Sequence, residues 1–170
     1  RGRNNKAKAK KSEGAHGSSN RNIGEKEKGI VKSTIEVIDK EMGKIKVTNQ
    51  EGSHIRNLII SNTKEEDDIF VNPVPNLESG LLWEPGLVNK KQAVNINTSH
   101  DYYGKVYIPN HNESVNMQGL DSLFWALSTA ELNCTNDESK DNFEEMRYEV
   151  SRALKKLVSD LPEPDLEDWE

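Results

Sequence analysis

The most constraining feature of this sequence is a pair of C-terminal segments in which apolar residues recur at helical spacing. In residues 120–132 they recur every three or four positions, which predicts a helix with one apolar stripe. Residues 143–161 continue the pattern up to Pro162, with Lys155 and Lys156 in the last turn. Two such helices joined by a few residues form an αα-hairpin, whose stripe must be buried against another layer.

We expect the two helices to share one buried seam and to keep their charged residues in water. Thr135 and Glu138 have the spacing of a capping box at the start of the second helix. The helices carry carboxylates that could in principle pair for acid–base chemistry, including Asp121, Glu131, Glu144 and Glu145. Most of them face away from the stripe and are interpreted as a solvated surface. The seam is predicted to contain Leu123, Phe124, Leu127, Val150, Leu154 and Leu157.

The middle of the chain predicts strands. Residues 34–47 alternate β-branched and charged residues around Gly43, which indicates two strands with one wet face. Residues 55–61 predict a third strand buried on both sides, and the alternation in residues 92–97 predicts another. Residues 72–89 contain three prolines and two glycines, and they predict a loop because proline cannot donate to a central ladder.

Size and composition place these elements in one domain behind a distinct leader. The chain has 170 residues, with 33% apolar against 31% charged. Residues 1–28 are basic and contain no apolar residue larger than alanine before Ile23, so we expect a disordered linker. The predicted class is α+β. A small mixed or antiparallel sheet followed by the αα-hairpin fills residues 29–164, and residues 165–170 form an acidic tail.

Several functional classes are disfavoured by the same sequence. No apolar run approaches the roughly 18 residues of a membrane span, and the leader lacks the apolar region of a secretory signal, so we expect a cytoplasmic protein. Cys134 is the sole cysteine and cannot form an internal disulfide. His54, His100 and His111 lack the spacing of a metal site. Glycine-rich phosphate loops, serine-nucleophile elbows and dinucleotide fingerprints do not occur.

Residues 95–109 form the densest aromatic and β-branched segment of the chain. His100 and Asp101 would point to opposite faces of an extended segment, which argues against an acid–base pair. Because Val94 and Ile96 predict a core strand, we interpret the segment as a strand end whose tyrosines cover the core and present hydroxyls to a partner. No catalytic, cofactor-binding or metal-binding residue is assigned. The candidate contact surface consists of Asn97, His100, Tyr102, Tyr103, Lys105 and Tyr107.

Four motifs follow one another within residues 34–164: LLWEPG, VNINTSHDYYGKVYIP, LSTAELN and FEEMRYEVSRALKKLVSDLPEP. Their order resembles the C-terminal region of ATPases of the gyrase, histidine-kinase and MutL superfamily, abbreviated GHKL. The similarity is to the MutL- and MORC-like subgroup found beside bacterial and phage restriction systems. In that subgroup a strand commonly runs into an asparagine, a histidine and an aromatic pair. Asn97, His100, Tyr102 and Tyr103 match these positions.

The resemblance implies a non-catalytic C-terminal module that couples nucleotide state to dimerisation or to partner binding. The family's magnesium-binding and adenine-binding motifs do not occur here, so ATP and magnesium are expected only in an upstream domain. The chain opens on Arg1, and residues 1–28 would then be a flexible interdomain tether. We expect a protein partner or a homodimer, and no membrane.

Three alternatives stay open. The chain is a stand-alone interaction or regulatory protein, a DNA-binding accessory domain that uses its basic leader, or an enzyme with an unrecognised site. The leader is positive although the whole chain carries a net charge of -6, so its remainder is strongly acidic. An acidic body with a basic arm is not typical of a nucleic-acid-binding domain.

Overall fold

A computed structural model describes residues 2–64 and 67–165, and these residues form an α+β fold, as predicted. The described part of the chain contains four α-helices: Gly2–Ser12 (α1), Gly17–Lys26 (α2), Ser114–Leu132 (α3) and Asp137–Leu157 (α4). It also contains seven strands: Thr34–Asp39 (β1), Lys44–Asn49 (β2), Gly52–Asn57 (β3), Ile59–Ser61 (β4), Val71–Val74 (β5), Trp83–Val88 (β6) and Lys91–Asn97 (β7). None of these helices is long and apolar enough to cross a membrane.

The first sheet is antiparallel, in the order β1-β2-β3. Gly43 turns the chain between β1 and β2 with a φ of 68°, and a Cβ there would collide with the Leu58 carbonyl oxygen. On β2, Ile45 and Val47 are fully buried whereas Lys44 and Lys46 are exposed. The predicted pair of strands with one wet face is therefore confirmed.

The second sheet is mixed, in the order β4-β6-β7-β5, and its strands β6 and β7 form an antiparallel pair. The single strand predicted at residues 55–61 is divided at Leu58 between the two sheets. Because β4 is an edge strand, Ile59 remains 43% exposed, and the prediction of burial on both sides is wrong. The two sheets thus separate at Leu58.

The loop predicted at residues 72–89 is also corrected, because β6 is a central strand that contains Pro85 and Gly86. Val94 lies opposite Pro85, yet its N–H donates to the Phe70 carbonyl on the far side of β7. The backbone polar groups of Pro85 therefore point away from β7 and towards β4. Pairing between β6 and β4 begins only at the next residue, Gly86. No ladder bond requires a donor at Pro85, which removes the objection to proline.

The two predicted C-terminal helices are present, and only four residues connect them. The second helix is capped by Asn136, whose side-chain oxygen accepts a hydrogen bond from the Ser139 N–H at 2.8 Å. This replaces the predicted capping box at Thr135. Lys155 and Lys156 lie in the last turn of α4, as expected.

The predicted seam is partly wrong. Phe124 is buried in the main core, and Leu127, Val150 and Leu154 pack against that core, but Leu123 is 56% exposed and Leu157 is 75% exposed. The reason is that α3 buries a face on which polar residues alternate with apolar ones. That face contains Met117, Asp121, Phe124, Trp125, Ser128, Glu131 and Leu132.

The N-terminal leader is helical and packed, which corrects the expectation of a disordered linker. Its buried residues recur every three or four positions and are mostly small or polar, so an apolar pattern did not reveal them. They are Ala9, Ser12, His16, Ser19, Ile23 and Glu27. Ile23 belongs to the main core with Phe70 and Trp83. Exposed basic side chains cover the outer side of the leader, and they include Lys6, Lys10, Lys11 and Arg21. The predicted acidic tail, except Asp165, lies outside the described residues.

Candidate functional site

The segment predicted to be a strand end and contact surface is instead a buried helical turn. After β7 ends at Asn97, the chain winds into a π-helical turn, Tyr103–Tyr107. The rings of Tyr103 and Tyr107 stack with centroids 4.8 Å apart and an interplanar angle of 8°. Neither ring is exposed, so neither hydroxyl faces a partner.

The six predicted contact residues therefore do not form a surface. The structure buries Asn97, His100, Tyr103 and Tyr107 and leaves Tyr102 and Lys105 partly exposed. His100 Nδ1 accepts from the Tyr102 N–H at 3.0 Å, and its Nε2 donates to the Ser151 carbonyl at 2.9 Å. Burial is the main cause that lowers the pKa of His100. These bonds join the end of β7 to α4, and they indicate a structural role.

A buried polar cluster, which the sequence did not predict, surrounds His16. Nδ1 of His16 donates to Oδ2 of Asp121 at 2.7 Å, and its Nε2 lies 3.0 Å from the Tyr103 hydroxyl. That hydroxyl also lies 3.2 Å from Nε2 of His111. The cluster connects the leader, the π-helical turn Tyr103–Tyr107 and α3. The one sequence signal for the burial of Asp121 is that it lies on the same face of α3 as Met117. Its partner His16 is 105 positions away and gives no local signal.

The His16–Asp121 pair is sealed from solvent. His16, Tyr103, Tyr107 and Asp121 have no exposed surface. Burial is the main cause that raises the pKa values of Tyr103 and Tyr107, and the Asp121 carboxylate raises both further. A histidine–aspartate pair without an opening cannot meet a substrate, so we assign it to stability rather than to catalysis.

A second buried polar cluster lies where the two sheets separate. Glu131 on α3 accepts a hydrogen bond from Nη2 of Arg56 at 2.7 Å. Glu131 also accepts from Nε and Nη2 of Arg147 on α4, at 2.8 and 3.3 Å. All three side chains are buried. Glu131 was predicted to lie on the solvated surface, and this is wrong. Arg56 on β3 and Arg147 on α4 pair with its carboxylate in the interior.

Arg56 and Arg147 also line an open cleft of about 360 Å³, which we call the arginine cleft. Residues 56–59, the turn Glu78–Gly80, β6 and the first half of α4 enclose it. Arg56 is only 7% exposed, and its Nε and Nη1 have no hydrogen-bond partner among the described residues. The buried charged side chains of Arg56 and Arg147 therefore border an open cleft.

Glu84 on β6 is a partly buried acidic residue of the arginine cleft. Burial is the largest cause that raises its pKa, and Glu78 and Glu131 raise it further, while Arg147 and Arg56 act in the opposite direction. The cleft therefore combines an arginine pair with a carboxyl group that is poorly solvated. Such groups can bind charged and hydrogen-bonding ligands, but the residues that line the cleft include no serine, threonine, cysteine or histidine.

A wider groove of about 630 Å³ separates the leader from residues 67–70. Asn20 lies in its lining, but its side-chain oxygen already accepts from the Phe70 and Val71 N–H groups. Charges of both signs surround it, and the groove offers no buried group that points to a ligand. No cluster of three metal-ligating side chains occurs among residues 2–64 and 67–165.

Comparison with known proteins adds no relative. No protein-family model, no curated protein and no solved structure matches this chain. The similarity to the C-terminal region of GHKL-type ATPases stays a prediction from the order of its sequence motifs. The arginine cleft, and not the predicted tyrosine surface, is the candidate functional site.

Proposed function

We propose that this chain is a non-catalytic binding module of the kind that the GHKL resemblance implies, which couples nucleotide state to a partner protein. The observation that supports it is the arginine cleft, where Arg56 is almost completely buried but has donors without protein partners. A guanidinium in this state is suited to bind a partner's acceptor groups.

The distribution of reactive groups also supports binding rather than catalysis. The histidine–carboxylate pair His16–Asp121, whose atoms lie within hydrogen-bond distance, is closed to solvent. The open site presents arginine, lysine and glutamate side chains. We place the module in the cytoplasm, because the free thiol of Cys134 fits a reducing compartment.

The proposal can be tested by site-specific crosslinking in the native host. Tyr148, which lines the cleft, is replaced by the photoreactive p-benzoylphenylalanine, and the matched control places it at Val115, which is 84% exposed on α3 outside the cleft. We expect a protein adduct, identified by mass spectrometry, from position 148 only. Equal adducts at both positions, or none, would overturn the proposal.

Nucleotide binding gives an independent test. Calorimetry of the isolated chain with Mg·ATP should show no saturable heat, because the sequence lacks the family's nucleotide motifs. Saturable binding in the micromolar range would assign the chain to a nucleotide-using enzyme instead.

The basic leader supports DNA binding as a second candidate function. Lys6 and Lys10 are exposed one helical turn apart on α1. If they contact phosphates, the affinity for a fluorescent duplex falls steeply with salt and weakens in the Lys6→Glu/Lys10→Glu variant. If the fluorescence anisotropy of the duplex does not change when the protein is added, DNA binding is excluded as a function.

A further inference from the structure

The floor of the arginine cleft carries more positive than negative charge. Arg56 and Arg147 share one carboxylate, Glu131, which leaves one positive charge without a counter-ion inside the cluster. Arg147 binds Glu131 through two nitrogens, whereas Arg56 binds it through Nη2 alone. A buried charge is stabilised by a complete set of partners, so the geometry favours a second anionic group beside Arg56.

The mouth of the cleft has the opposite sign. The exposed Glu78 and Glu144 line it, and Lys140 is a basic residue that accompanies them. Glu84 also lines the cleft, but it is partly buried and close enough to Arg147 and Arg56 for their charges to act on its pKa. A ligand with several negative charges would be repelled by these carboxylates before it reached the floor. A ligand with one negative and one positive group can place its negative group against the arginines of the floor and its positive group against the carboxylates of the cleft.

The size of the cleft agrees with a compact ligand. A volume of about 360 Å³ lies near the lower end of the range of roughly 300–1,000 Å³ for small-molecule sites. This space suits an amino acid or a pair of neighbouring side chains, and it is small for a nucleoside triphosphate.

We propose that the arginine cleft recognises a zwitterionic group, in which a carboxylate pairs with Arg56 and an attached cationic group faces Glu84 and Glu78. This chemistry is supplied either by a free amino acid or by adjacent acidic and basic residues of a peptide. The inference rests on the proposed function in the second case, where the peptide belongs to the partner protein. The carboxylate replaces the missing counter-ion on the floor, and the cationic group neutralises the mouth.

The test is a titration of the full-length, ¹⁵N-labelled chain observed through the arginine Nε–Hε resonances. The probes are acetyl-Glu-Lys-amide and free L-glutamine. Two control peptides each lack one charge: acetyl-Gln-Lys-amide and acetyl-Glu-Gln-amide. Inorganic phosphate serves as the compact multivalent anion. We expect saturable shifts of the Arg56 resonance with a Kd in the millimolar range for at least one zwitterionic probe.

Both charges of the ligand should matter. Each control peptide should bind roughly tenfold more weakly than acetyl-Glu-Lys-amide, or not at all, if the peptide is the ligand. Phosphate should produce no saturable shift of Arg56. The inference is overturned if neither zwitterionic probe saturates, or if phosphate or the single-charge peptides bind equally well.

Variants test the site without dismantling its floor. Glu84→Gln should weaken binding of the zwitterionic probe by roughly tenfold, because the cationic group loses its partner. The matched control is Glu145→Gln, an exposed residue on α4 that does not line the cleft, and it should leave affinity unchanged. Equal affinity of Glu84→Gln and the original chain would contradict the assignment of Glu84.

The two probes separate this inference from the proposed function. Binding of L-glutamine but not of the peptide would retain the zwitterion site and overturn the partner-binding role of the cleft. A crosslinked partner at position 148 combined with silent titrations would retain the function and overturn the zwitterion site.

Discussion

Nδ1 of His16 lies 2.7 Å from Oδ2 of Asp121, and both side chains are completely buried. This bond spans 105 positions of sequence and joins the leader to α3. A buried carboxylate is tolerated when its partner is present, and it becomes costly when the partner is removed. The leader is therefore part of the folded body.

The His16→Ala substitution tests this coupling. We expect it to lower the free energy of unfolding by about 3–5 kcal/mol, because Asp121 would stay buried without its donor. Urea denaturation measures the change, and Lys10→Ala on the exposed side of α1 is the control that should change stability by less than about 0.5 kcal/mol. Deletion of residues 1–28 should also destabilise the chain; unchanged unfolding after deletion would show that the leader is not docked.

The leader and α3 show where inference from sequence reached its limit. Alternation and Gly43 were sufficient to predict the β1–β2 pair, because strand period and turn chemistry are local properties. The buried face of α3 was misassigned because it includes Asp121 and Glu131. Asp121 pairs with a residue 105 positions away, and Glu131 pairs with one arginine 75 positions away and another 16 positions away on the next helix. An apolar pattern cannot show such partners.

The candidate site shows the same limit. Tyr102 and Tyr103 belong to the segment that was predicted to be a strand end, but the turn is helical and carries Tyr103 and Tyr107 to the same buried face. The arginine cleft was missed because its floor forms only when β3, α3 and α4 meet. The charged residues of the floor are spread across the sequence, so no local sequence pattern indicated that these three elements pack together.

Glu131 should be the most sensitive carboxylate of α3. The Glu131→Gln substitution removes the negative charge between Arg56 and Arg147, and we expect a loss of about 3–5 kcal/mol in stability because two guanidiniums remain buried together. Chemical denaturation compares this variant with Glu145→Gln, whose exposed side chain should matter little. Similar midpoints for the two variants would argue against the buried arginine–glutamate cluster.

Neighbouring residues on α3 test the orientation of that helix. Phe124 is 3% exposed and packs on Trp83, whereas Leu123 faces solvent. We expect Phe124→Ala to cost about 3–5 kcal/mol and Leu123→Ala to have an effect within about 0.5 kcal/mol. Thermal or urea unfolding of both variants gives the comparison, and a reversed order would mean that α3 buries the stripe originally predicted.

His111 should make stability depend on pH. Burial, followed by the electrostatic effect of His16, lowers its pKa from the usual value of 6.5 to about 4. Above pH 6.5 the imidazole is neutral in both the folded and the unfolded chain, and the full stability is present. Between these values the unfolded chain takes up the proton first, so stability falls as pH decreases from 6.5 towards 4.

The His111→Gln variant should therefore have a shallower loss of stability across this acid range, as measured by urea unfolding at successive pH values. The slopes decide the outcome, because the substitution also changes the contact with Tyr103 and shifts stability at every pH. His100, whose pKa is lowered mainly by burial, remains in the variant and preserves part of the slope. Parallel pH profiles for the variant and the original chain would mean that His111 has the same pKa folded and unfolded, which would contradict its burial beside His16.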